Sequence, residues 1–212
     1  KTAGNVVSNL GKNLAKSLGP LSMVVILLDS LRDFDKITGA TAKTLGISYN
    51  EASKLNQEFT DIAAKSNNTF LTTKSLTEAQ NQLSTALGTN NGLSGELLTN
   101  FTELTKQAGY SVETATTLSK LSLVTSKSTK DITASYLGQV KALNAQNGLS
   151  INSKQLLNDI STISKATLVT FAQNPKELAK AAFEAKKVGL ELKEIEGIQS
   201  SLLDIESSIS NE

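Results

Sequence analysis

The residues able to do chemistry are few, and their spacing decides between the uses open to them. Asp29, Asp33 and Asp35 follow an apolar run, and two of them could imitate the paired carboxylates of general acid–base catalysis. Their place, where an apolar helix meets water, reads instead as solvated charge. Gly4 with Gly11-Lys12-Asn13 approaches a phosphate-binding loop, which needs four residues between its glycines, then Lys and a hydroxyl. Here six residues separate the glycines and Asn13 replaces the hydroxyl, so nucleotide binding is not expected. The chain has no His and no Cys. The commonest general base, the thiolate nucleophile and the usual zinc ligands are thereby absent from the sequence. Arg32 is the single arginine among 21 cations, and arginine is the side chain that forks onto phosphate or carboxylate. With 21 basic and 20 acidic residues, the chain has no electrostatic drive toward nucleic acid. No catalytic residue, no cofactor and no metal are expected, and no specific nucleic acid partner. Asn67-Asn68-Thr69 and Asn100-Phe101-Thr102 fit the glycosylation pattern, a match too short to carry weight alone.

What must position these residues is helical. Aromatics make up 4% of the 212 residues, Ser and Thr together number 48, and Leu 31. Apolar residues recur at helical spacing and nowhere alternate as in a strand. Ser and Thr lower intrinsic helicity by competing for backbone groups, so the helices should depend on packing partners. One junction recurs: a helix ends in Gly, an apolar residue follows, and a polar cap opens the next. It appears as Gly46-Ile47-Ser48, Gly92-Leu93-Ser94, Gly109-Tyr110-Ser111, Gly148-Leu149-Ser150 and Gly189-Leu190-Glu191. Gly adopts the left-handed conformation that closes a helix, and Ser accepts from the first free amides of the next. Ser48 with Glu51, and Ser75 with Glu78, predict capping boxes; Asn174-Pro175 predicts a further start. The junctions predict helices over 50–64, 75–87, 95–107, 112–126, 130–146, 151–172, 175–187 and 192–210, after one over 5–18 and one opened by Pro20. The glycine intervals are 46, 17, 39 and 41 residues, with no matching side-chain pattern inside them, so no solenoid is expected. The expected fold is all-α: an apolar N-terminal segment (1–39), a body of helical hairpins (40–187) and a coiled-coil-like helix (188–212).

Two segments are candidate contact surfaces. In the last helix, Ile195, Ile198, Leu202, Ile205 and Ile209 are spaced 3, 4, 3, 4, a heptad seam. Isoleucine at both core positions favours trimers over dimers. The rival reading is an amphipathic helix packed within its own chain. Near the other end the unbroken apolar stretch is Met23 to Leu28, or Leu18 to Leu28, 11 residues, if Gly19, Pro20 and Ser22 are allowed, short of the roughly 20 that a bilayer span needs. It reads first as a buried helix; as a membrane contact it would use Val24, Val25, Leu27 and Leu28.

From Leu45 to Glu212 the chain resembles the tail tape measure proteins of tailed bacteriophages. The resemblance is carried by LGISYNEASKL, AGYSVETATTLSKL, NGLSINSKQLL and NPKELAKAAFEAKKVGLELKEIEGIQSSLLDIESSI, and by the aromatic-poor, Ser/Thr/Ala/Leu-rich texture around them. That family is usually far longer and includes extended coiled coil, so this chain would be one segment. The resemblance implies a structural virion protein inside the tail, whose length sets tail length and which leaves the tube ahead of the genome. Its expected partners are other copies of itself, tail tube or other virion proteins, and a transient membrane. The alternative is a membrane-acting helical protein, a pore former or an ejection protein, inserting the Leu18–Leu28 segment.

Overall fold

A computed structural model describes residues 20–210, with side chains from 31 to 201. The helix expected over 5–18 lies outside the described residues. Among those described there are ten α-helices and no strand, so the fold is all-α. In chain order they are α1 (Pro20–Leu45), α2 (Tyr49–Lys65), α3 (Thr73–Leu87), α4 (Gly95–Thr102), α5 (Val112–Thr125), α6 (Thr129–Asn147), α7 (Ser153–Asp159), α8 (Lys165–Phe171), α9 (Pro175–Lys187) and α10 (Leu192–Ser210). A π-helical turn, Glu103–Gln107, prolongs α4, and a 3-10 turn, Ile160–Thr162, prolongs α7. The chain forms two compact units, one up to Leu98 and one from Thr99.

The expected junctions hold where capping is local. Ser48 accepts from the Glu51 amide while Glu51 accepts from the Ser48 amide, the reciprocal box read from sequence. Ser111 caps α5, and Gly46, Gly109, Gly148 and Gly189 all have positive φ. Elsewhere the structure differs. The box on α3 is Thr72 with Ser75, not Ser75 with Glu78, because the helix starts three residues early. Asn152 caps α7 in place of Ser150. Gly88, at φ 67°, closes α3. Gly92 has a packing reason instead: a Cβ there would lie 2.8 Å from Leu55 Cδ2. The single helix expected over 151–172 is broken, since Ile163 is extended and Ser164 starts α8 by accepting from the Thr167 amide. Unbroken α-helical spacing from Leu97, Phe101 and Leu104 would put Ala108 on their buried face. It is exposed, because the π-turn inserts a residue and rotates the helix phase.

In the N-terminal unit α1, α2 and α3 pack against one another. Phe59, Leu76 and Leu83 are fully buried, but so are Thr38, Thr41, Asn56 and Gln80. Each of these polar groups has a hydrogen-bond partner, as burial demands. Asn56 donates from Nδ2 to Thr38 Oγ1 at 3.1 Å and accepts from Thr77 Oγ1 at 3.1 Å, joining all three helices. Gln80 donates to Ser84 Oγ at 2.7 Å and accepts from the Leu93 amide at 2.9 Å, pinning the loop after α3.

In the C-terminal unit the most extensive pairing is α6 with α9, and α7 lies against both. Tyr136, Val140, Leu157, Ile160 and Phe183 are fully buried. Tyr136 donates its hydroxyl to the Leu156 carbonyl at 2.9 Å.

Candidate functional site

The candidate surface is built on α10. The Glu191 amide donates to Glu194 Oε2 at 2.7 Å and opens the helix. Leu192 is buried and anchors that end, whereas Ile195 is 37% exposed and Ile198 53%. The two seam residues with described side chains are therefore exposed. Leu202, Ile205 and Ile209 continue the α10 backbone, and their side chains lie outside the described residues. Nothing lies within 4 Å of where a Gly197 Cβ would stand, so packing does not require glycine there.

A second tie, unread in the sequence, holds α10 in place. Glu196 accepts from the Ser164 amide at 2.9 Å and from the Thr167 hydroxyl. It thus adds a negative charge at the N-terminus of α8, where the helix dipole welcomes one. The Ser164 and Thr167 hydrogen bonds hold its carboxyl below the usual range. The only local hint was Ser164 followed three residues on by Thr167; the partner sits 29 residues from Thr167. The helix it braces, α8, has no buried residue, and its Val169 is 61% exposed.

Behind α10 lies an ionic cluster. Asp159 is buried, and Lys186 Nζ stands 3.6 Å from its Oδ2 and 3.9 Å from Glu191 Oε1. Burial raises the Asp159 carboxyl, partly offset by Lys186. Burial, and then the Asp159 charge, raise the Tyr136 phenol. The Tyr136 hydroxyl is spent on Leu156 and Lys186 is spent on two carboxylates, so the cluster fastens α9 to α7.

The other sequence candidates fall apart from one another. Val24, Val25, Leu27 and Leu28 belong to α1, and their side chains lie outside the described residues. No helix of the described residues is long and apolar enough to cross a membrane. Asp33 and Asp35 are exposed, and Asp35 accepts from the Tyr49 hydroxyl at 2.5 Å. No group of three or more carboxylates able to hold a metal occurs among the described residues. Asn100 is 5% exposed on α4, beside the buried Phe101, which seals that glycosylation match, whereas Asn67 is exposed in a loop. Comparison with known proteins gives no match to a family model, to a curated protein or to a solved structure.

Proposed function

We propose that this chain is a structural virion protein of the tail tape measure type, a helical segment lying in the tail tube and leaving it before the genome. The observation that supports this best is the interior of the N-terminal unit. Its three helices meet through Thr38, Asn56 and Thr77 rather than through hydrocarbon alone. A hydrogen bond exchanged for one to water contributes only about 1 kcal/mol net. Such helices, weak in intrinsic propensity, come apart at small cost and suit passage through a narrow tube. The reading implies neighbours in that tube: tail proteins and other copies of the chain. An in-frame deletion of residues 111–162 in the parent virus tests it. If those 52 residues lie helical along the tube, the tail shortens by roughly 80 Å, at about 1.5 Å per residue. Tails of unchanged length, or virions lacking the protein, would refute the reading.

A further inference from the structure

Three stretches of the chain repeat one three-helix pattern. The first helix of each starts at a Ser N-cap, Ser48, Ser111 or Ser164, that accepts from the amide three residues on. Eight residues after each cap stands a buried small or polar residue: Asn56, Ser119 and Ala172. The second helix starts TKSLT at 73–77, TKDIT at 129–133 and PKELA at 175–179. In each of these the last two residues are buried. A Gly-Leu pair then leads to the third helix, which is α4, α7 or α10. In α4 and α10 the equivalent residues fall at the same distance from that glycine, Leu98 and Phe101 matching Ile195 and Ile198. In α7, counted as in the others from the residue whose carbonyl accepts the first helical bond (Ser94, Asn152 and Glu191), they are Leu156 and Asp159.

The three faces differ in one respect. Leu98 and Phe101 are 0% and 1% exposed, Leu156 and Asp159 are 1% and 9%, but Ile195 and Ile198 are 37% and 53% exposed. In the middle copy α7 lies against its own α6 and also against α9 of the following copy, to which Asp159–Lys186 joins it. The π-turn after α4 meets α5 of the following copy, and Glu103 pairs with Lys130 on α6 at 2.8 Å. In the middle copy the third helix is thus held by the helix pair that comes next. Among the described residues α10 has its own α9 and no next pair. Stacked repeats bury such faces only against a neighbour.

We propose that the Ile195–Ile198 face of α10 is a docking site for a further helix pair of this same repeat. The two isoleucines cannot serve this pair and a coiled-coil trimer at once, and the burial of the α7 equivalents beside α9 favours the pair. The test exploits the cysteine-free chain. Ile195→Cys, Ile198→Cys and, on the opposite side of the helix, Ser200→Cys each supply a unique thiol. Each is made in the full chain and in the full chain carrying a second α5–α6 pair (residues 111–147) behind a flexible linker. Light scattering gives the mass of each, and circular dichroism confirms the added helix. The expected result is a monomer in which all three thiols react quickly. The appended pair then slows the reaction at 195 and 198 at least tenfold and leaves 200 unchanged. Equal rates with and without the folded pair would overturn the proposal, as would uniform slowing at all three positions. A trimer of the unmodified chain with protected thiols at 195 and 198 would overturn it in favour of the coiled coil.

Discussion

Asn56 Nδ2 lies 3.1 Å from Thr38 Oγ1 at the centre of the N-terminal unit, where both residues are 0% exposed. The amide also accepts from Thr77, so one side chain fixes the alignment of three helices. Asn56→Ala strips both partners of their bond and leaves a cavity. It is expected to cost about 2–4 kcal/mol, read from the urea midpoint. Asn56→Leu combined with Thr38→Val and Thr77→Val removes all the polar atoms together and is expected to be near neutral. A triple variant as damaged as Asn56→Ala would show that the bonds themselves carry the stability.

Gly95 opens α4 against Ile62, and a Cβ at Gly95 would stand 2.7 Å from Ile62 Cδ1. Gly95→Ala should therefore destabilise the chain despite the better helix propensity of Ala. In an Ile62→Val background, which lacks that methyl, the same change is expected to be neutral or stabilising. A thermal-denaturation double-mutant cycle measures the coupling, expected at about 1 kcal/mol.

Ser126 is the one non-glycine residue at positive φ among those described, at 56°, where it ends α5. That conformation is strained for a residue with a Cβ. Ser126→Gly should raise stability by about 0.5–1 kcal/mol, seen as a higher melting temperature. An unchanged or lower value would mean that the flexibility gained by the unfolded chain outweighs the strain relieved.

Glu196 and Asp159 should respond to acid in opposite directions. The folded chain depresses the Glu196 carboxyl, so its contribution is complete above the ordinary carboxylate range. That contribution is lost as pH falls through the lower folded value. The protection of the Ser164 amide, relative to its intrinsic exchange, should fall as pH drops below the ordinary glutamate range, and Glu196→Gln should abolish that dependence. Burial raises the Asp159 carboxyl, so its contribution is greatest in acid and declines as pH rises from the unfolded value through the folded one.

The same imbalance ranks two substitutions. Lys186→Met leaves a buried carboxylate without its cation, whereas Asp159→Asn leaves a lysine that still has Glu191 at 3.9 Å. At pH 7 Lys186→Met is expected to be the more damaging, by about 1–2 kcal/mol, and urea denaturation of both variants checks the order.

What the sequence made legible was local. Ser48 and Ser111 were readable as caps because a cap and the amide it serves lie three residues apart, and α9 and α10 have the bounds expected of them. Gly88 was passed over for Gly92 because both look alike as letters; Leu55, which explains Gly92, is 37 residues away. No Gly or Pro marks the break at Ile163. Glu196 was unreadable for the same reason as Leu55: its partners are brought to it by packing. The repeat was hidden by its connectors. Seven residues join α2 to α3, at 66–72, but three join α5 to α6, at 126–128. Intervals counted between glycines therefore drift while the buried positions keep their order. The outward heptad on α10 was visible as spacing; that its internal counterparts are covered was not.

The threonine, asparagine and glutamine at the heart of the N-terminal unit also set how that unit fails. Water entering an oily interior finds nothing to hold it, and such a core yields abruptly. Here the first molecules to arrive meet hydroxyls and amides that can accept them in place of one another. Loosening can then advance one helix at a time, and the same groups stand ready to rejoin when the load is gone.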